Sequence, residues 1–279
     1  MILAQLSWPE IESTRSRVCV VPLGSLEQHG PHLPLWTDTA IVSAIASRIE
    51  QRLADDVLLA PTQPVGYSPH HSHFGCLSLD MEGYMAVIKG LCRSFAAMGF
   101  HRVLLLNGHG GNEVPCRAAL CEIKVEIPEL RVVLASYWAL AAEAFGRIRT
   151  SPPGGMNHAC EMESSVMLAL YPEQVNLAAA QDDGPLGRGD QQRFDSLPPS
   201  PLRRLPDMLR AQPYYMVRNF DELSATGTVG SPSHASREKG DQFLNAAVDA
   251  VAALVQAFAA GNLDFAGEET AAPPQPHVP

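Results

Sequence analysis

The residues best able to do chemistry fall in three short clusters. They are Leu26-Glu27-Gln28-His29-Gly30-Pro31-His32-Leu33-Pro34-Leu35-Trp36-Thr37-Asp38, then Asn107-Gly108-His109-Gly110-Gly111-Asn112, then Asn157-His158-Ala159-Cys160-Glu161-Met162-Glu163-Ser164-Ser165. In the first, Glu27 and His29 are two apart, so in extended chain their side chains point the same way, and Asp38 can return across a loop stiffened by Pro31 and Pro34. Two carboxylates and an imidazole at one place suit Zn²⁺, Mn²⁺ or Fe²⁺ and leave coordination positions open for water. A solvated polar loop has a similar composition, so the second cluster carries the decision. Its glycines let the backbone turn sharply and come close to a ligand while His109 is presented. A glycine-rich phosphate loop competes, but the Lys-Ser/Thr of a P-loop and the GxGxxG spacing are both missing. In the third cluster His158 and Glu161 share a face if the whole segment is helical. If a turn leads into the helix, His158 and Glu163 can both face a site. Both acids also suit the first turn of a helix as partners of its dipole.

The apolar run Val18-Cys19-Val20-Val21-Pro22-Leu23 precedes the first cluster, and Arg102-Val103-Leu104-Leu105-Leu106 precedes the second. Both runs read as buried strands, so each cluster begins where a strand of an open α/β sheet ends, which is where such folds place their sites. Further strands are expected at 57–60 and 131–136, and helices at 39–54, 81–98, 113–126, 161–170 and 236–258, with a short helical lead-in over 8–12. Strands alternating with helices imply an α/β fold with a mostly parallel sheet covered on both faces. One domain over residues 1–270 is expected. Residues 182–213 lack periodicity and read as a long loop or surface excursion, and the proline-rich tail 271–279 reads as disordered.

Composition narrows the partners. With 279 residues, 46% of them hydrophobic, the chain can bury a sizeable core, and a net charge of −10 without any Lys/Arg cluster argues against nucleic acid and anionic membrane. A small-molecule or peptide substrate fits better. The six cysteines show no CxxC pairing and follow no charged-then-apolar leader, so they read as reduced thiols in a cytoplasmic protein. The apolar stretch 246–260 is interrupted by Asp249 and Gln256 and falls short of the roughly 18 residues needed to cross a bilayer.

Taken together, LEQHGPHLPLWTDT, SPHHSHFGCLSL, LLLNGHGGN, HACEMESS and GTVGSPSHASREKG resemble the creatininase (creatinine amidohydrolase) family over residues 8–260. The resemblance implies a three-layer α/β/α fold, a homohexamer, and two divalent metal ions that together open an amide bond of a small molecule. It implies that Glu27 and His109 hold one metal and His29 the other, that Asp38 bridges both, and that His158 is the acid/base residue. Creatinine-cleaving members carry a Glu two residues after the equivalent of His109, where this chain has Gly111. One ligand is thereby lost. Either Glu163 is the replacement or the second metal is weakly held, while Glu161 competes for that role or orients His158. Relatives with GHGG act on other amides, including a formylamino-pyrimidine nucleotide and the C-terminus of a peptide cofactor precursor. His71, His73 and Trp138 are the expected substrate-binding residues.

The chemistry expected of such a site is hydrolysis. Two divalent ions sharing a carboxylate lower the pKa of a bridging water toward neutrality, and a nearby histidine protonates the departing nitrogen. Attack on a lactone or other carbonyl compound, C-terminal peptide processing, and non-catalytic metal or ligand binding on the same scaffold are the alternatives.

Overall fold

The computed structural model describes residues 1–184 and 217–263. The expected excursion beyond Gly184 and the tail 271–279 lie outside the described residues. Within them run six strands, β1 (Val18–Leu23), β2 (Leu26–Glu27), β3 (Val57–Leu59), β4 (Cys76–Leu77), β5 (Arg102–Asn107) and β6 (Arg131–Ser136). Seven α-helices accompany them: α1 (Thr37–Arg52), α2 (Met81–Ala97), α3 (Glu113–Glu126), α4 (Tyr137–Leu140), α5 (Ala142–Ile148), α6 (Glu161–Leu170) and α7 (Arg237–Ala259).

Strand alternation builds the layers. Val18 and Val20 of β1, with Leu104 and Leu106 of β5, enter a core shared with α1, α6 and α7. Their neighbours Cys19, Val21, Leu23, Val103 and Leu105 enter a second core on the other face, shared with α2 and α3. Both faces of the sheet are therefore apolar, as a parallel sheet between two helical layers requires. The helices present matching stripes, for example Ile41, Ile45 and Ile49 on α1 and Tyr84, Ile88, Cys92 and Phe95 on α2, with the spacing of one helix face. Asp80 caps α2 by accepting from Gly83 N–H at 2.7 Å, and Ser236 caps α7 by accepting from Lys239 N–H at 3.2 Å. By length and composition α7 is apolar enough to cross a membrane, contrary to the sequence expectation. Here its Phe243, Leu244, Val251, Val255 and Phe258 are core residues.

The main sheet has the order β3-β1-β5-β6, and each neighbouring pair is parallel. The chain first places β3 on one side of β1, then crosses to place β5 on the other. That reversal makes the C-terminal ends of β1 and β5 the switch point of the sheet, where a crevice opens. Two local features differ from expectation. β2 and β4 form a small antiparallel ribbon, too short to show a period in sequence, and α1 begins at Thr37 rather than at residue 39, so that Asp38 lies in its first turn.

Candidate metal centre

Leu23 pairs with Asn107, so the loops following β1 and β5 start side by side. Gly108 N–H donates to Leu23 O at 2.8 Å, Asn107 Nδ2 donates to His109 O at 2.8 Å, and Asn112 Nδ2 donates to Gly24 O at 3.1 Å. The two asparagines of the glycine-rich turn thus staple His109 over the end of β1. Asn112 Oδ1 also accepts from Tyr67 N–H at 3.0 Å, which ties in the histidine-rich loop. Glu27 is held on β2 by pairing with Cys76 and by donating its N–H to Leu35 O at 2.9 Å.

The donor atoms converge. His109 Nε2 lies 3.1 Å from Glu27 Oε2, and its Nδ1 lies 3.0 Å from Asp38 Oδ2. His29 Nε2 lies 3.1 Å from Asp38 Oδ1 and 3.9 Å from Glu163 Oε1. Three groupings have all their donor atoms within 4.8 Å of one another: Glu27, Asp38 and His109; His29, His158 and Glu163; Glu27, His71 and His158. Ligands of a single Zn²⁺-like ion sit about 2.0–2.3 Å from it, so atoms this close can share one. All of these side chains are buried.

The fit to a cation rests on unsatisfied oxygens. Glu27 Oε1 and Asp38 Oδ2 are buried and accept no aligned hydrogen bond among the described residues, although imidazole nitrogens lie 3.1 and 3.0 Å away. Buried carboxylate lone pairs left without an aligned donor are what a metal ion fills and what a hydrogen-bonded core avoids. Electrostatics agree. Burial opposes ionisation of Glu27, yet His109 and His71 hold its carboxyl well below the ordinary range. Burial lowers His29, but Asp38, Glu163 and Glu27 outweigh it and raise the imidazole to about 10. His109 is likewise raised, burial being overcome by Glu27 and Asp38. Burial and the Asp38 charge push Glu163 up to about 7 against the pull of His29. The carboxylates thus call for positive charge, which protons or divalent ions supply in competition.

His158 enters differently. It exchanges backbone hydrogen bonds with Val229 at 2.8 and 2.9 Å, and its Nε2–H donates to Gln28 O at 2.8 Å. That leaves Nδ1 unprotonated on the side of Glu27 Oε1, 3.8 Å away. Burial, with His29 and His71 nearby, depresses its pKa well below the imidazole range, so the ring is neutral.

Of the residues singled out from sequence, Glu27, His29, Asp38, His109, His158, Glu163 and His71 meet in this cluster. Glu161 does not. Its side chain, two residues before Glu163 on α6, faces the opposite way, accepting from Thr150 N–H and Ser151 N–H at 2.9 Å each and pairing with Lys239 Nζ at 2.7 Å. It therefore does not orient His158; it locks α6 to α7. His73 is exposed, its Nδ1 3.9 Å from Asp221 Oδ2. Trp138 follows β6 and packs edge-on to Tyr137, ring centres 5.1 Å apart, on the α1 side of the sheet. His73 is in none of the three donor groupings, and Trp138 offers no donor to them.

Three residues were missed from sequence. Gln28 sits inside the first motif but carries no titratable group. Phe220 lays its ring on His71, centres 3.9 Å apart, and against His158 at 4.5 Å; it follows the unpatterned segment and had no signal. Asp183 gathers Ser224 Oγ, Ala225 N–H and Thr226 N–H at 2.8–3.1 Å and so shapes the turn that reaches Gln28.

Known proteins share this arrangement of chain. The family profile described as creatinine amidohydrolase matches residues 4–255. The creatinine amidohydrolase of Pseudomonas putida is 28% identical over 274 residues, 92% of this chain and 96% of that protein. A mycofactocin precursor peptide peptidase of Mycobacterium tuberculosis is 33% identical over 239 residues, 82% of this chain and 81% of its own length. A crystal structure of creatininase superposes with a TM-score of 0.73 at 28% identity, covering 91% of this chain and 96% of the other, and related creatininase structures include an Mn form and a Zn–Zn form.

Proposed function

This chain belongs to the creatininase family, and from that premise we propose that it is a dinuclear metal-dependent hydrolase of a non-peptide C–N bond in a small cyclic or formyl amide. The observation that carries the reading is the pair of buried carboxylate oxygens, on Glu27 and Asp38, that accept no hydrogen bond among the described residues. Glu27, Asp38 and His109 would hold one ion, and His29, Asp38 and Glu163 the other. Bound divalent ions supply acidified water and a polarised carbonyl. The protein's own contribution is placement and proton handling. His158, its Nε2–H fixed on Gln28 O, presents the Nδ1 lone pair to the reacting groups, takes a proton there from water, and returns it to the amide nitrogen as the C–N bond breaks. Walls formed by Phe220 and the histidine rings keep bulk water away from that transfer.

Creatinine is disfavoured as the substrate. A Cβ at Gly111 would stand 2.2 Å from Tyr67 O and 2.4 Å from His109 Nε2, so backbone and imidazole fill the space that the additional carboxylate of creatinine-cleaving members would need. The relative that is 33% identical, named as a peptide peptidase, supports C-terminal peptide processing as a second reading. We further infer one domain over residues 1–270, a cytoplasmic location and a homohexamer; sedimentation of a lone 30.1 kDa species would refute the hexamer. The function is tested by measuring metal content and then hydrolysis of cyclic amides, formylaminopyrimidines and peptide C-termini by the Zn²⁺- or Mn²⁺-loaded chain. Two ions per chain with turnover of a formyl or cyclic amide is expected; full loading without hydrolysis of any probe would sink the enzyme reading.

A further inference from the structure

His71 and Gln28 stand beside the proposed ligands without belonging to them, and their hydrogen bonds define a proton arrangement. Gln28 is buried. Its Oε1 accepts from Gly30 N–H at 2.8 Å, so its amide nitrogen must point the other way, where it donates to Gly227 O at 3.0 Å and lies 2.9 Å from His71 Nδ1. Flipping the amide would set its oxygen against Gly227 O and its NH₂ against an N–H, so the orientation is forced. Gly227 is part of the device: it has φ +79°, and a Cβ there would stand 2.2 Å from Gln28 Oε1.

The amide nitrogen also lies 3.1 Å from His158 Nε2, but that ring nitrogen carries the hydrogen donated to Gln28 O and cannot accept, so the two amide hydrogens go to Gly227 O and to His71 Nδ1, which must offer a lone pair. A neutral imidazole with its lone pair on Nδ1 carries its hydrogen on Nε2. That Nε2–H lies 3.1 Å from Glu27 Oε1 but is not aligned with it, and Glu27 Oε1 accepts no hydrogen bond among the described residues. The donor is therefore unused among the described residues and sits at the edge of the donor cluster. Phe220, nearly parallel to the ring with a 26° angle between planes, fixes its plane. His158 shows the reverse polarity, its lone pair facing inward.

We propose that His71, held by Gln28 as its Nε2–H tautomer, is a second catalytic imidazole that donates a hydrogen bond to the substrate carbonyl oxygen as negative charge develops there. When water adds to the amide carbon, a C–O bond forms and the carbonyl π pair moves onto oxygen. His71 stabilises that oxygen without giving up its proton, while His158 handles the proton at Nδ1. The same tautomer bars His71 from ligating a metal through Nε2, although it lies within one of the three donor groupings. Gln28 is a positioning residue, acting only through His71.

This assignment rests on the hydrolase reading above, and the test separates the two. In the Zn²⁺-loaded full chain labelled with ¹⁵N-histidine, NMR of the imidazole nitrogens, with His71→Gln to assign the signal, should show His71 Nδ1 unprotonated and not metal-bound; a protonated Nδ1 or a zinc-shifted Nε2 overturns the proposal. With formylaminopyrimidine and cyclic-amide probes, His71→Leu should lose about 10²–10³-fold in kcat with KM and metal content near wild type. His71→Gln, whose amide NH₂ can reach the same place, should recover most of that loss. Loss of metal from His71→Leu, or an unchanged kcat, overturns the assignment and leaves the hydrolase reading standing. Inactivity of the loaded wild type on every probe removes both.

Discussion

Replacing Glu163 by Gln should empty one metal position and leave the other filled. The residue is buried, 7% exposed, with Oε1 3.9 Å from His29 Nε2 and Oε2 accepting from Cys160 N–H at 3.1 Å. A glutamine oxygen can still accept from Cys160, so the helix start is largely kept. What disappears is one negative charge. At an effective dielectric of 20, a charge pair about 4 Å apart is worth about 4 kcal/mol, and the ion that Glu163 would hold is divalent and closer than His29. The affinity of that position should therefore fall by at least about 10³-fold, since each 1.4 kcal/mol is about tenfold. At buffered micromolar Zn²⁺, elemental analysis after gel filtration should give one ion per chain in Glu163→Gln against two in wild type, with hydrolysis lost. Two ions in the variant would show that the second position does not depend on this carboxylate, and the ligand scheme would have to be redrawn.

Glu161→Gln should behave in the opposite way, keeping both ions while unfolding more easily by about 1–3 kcal/mol, because it leaves Lys239 opposite a neutral group in a pair buried on the Glu161 side and partly exposed on the Lys239 side. Lys239, Thr150 and Ser151 lower Glu161 to about 2 against the opposing effect of burial, so its stabilisation is complete above the unfolded value of about 4.3 and is lost as pH falls toward 2. Denaturant titrations should accordingly show the gap between wild type and variant narrowing below pH 4, and a constant gap would contradict the pairing. Gly111→Ala should cost about 1–3 kcal/mol by overpacking and weaken metal retention through His109, while Gly111→Glu should not confer creatinine hydrolysis; a stable, creatinine-cleaving Gly111→Glu protein would refute the packing argument. Asp183→Ala should loosen the 224–228 turn, read as faster amide exchange at Ala225 and Thr226 with α6 exchange unchanged; equal protection in both proteins would mean that the turn holds itself.

The sequence by itself carried the elements and the chemical types. Strand β1 and helices α3 and α6 lie where apolar runs and periodicity put them, because both faces of β1 are buried and α6 starts where a turn gives way to an apolar repeat. It also carried Glu27, His29, Asp38 and His109 as a metal-like set at two strand ends, since such residue types crowd only where chemistry offsets their cost. Which of them meet was decided by the tertiary structure. The register that pairs Leu23 with Asn107 puts the two loops side by side, and no local propensity encodes pairing across 84 residues of chain. The choice between Glu161 and Glu163 has the same origin. Two residues apart on a helix, they point to opposite sides, and only the docking of α7, with Lys239 at one of those sides, assigns one acid to a salt bridge and the other to the cluster. Gln28 and Phe220 were invisible in sequence because neither carries charge or period; their importance comes entirely from what the fold lays against them.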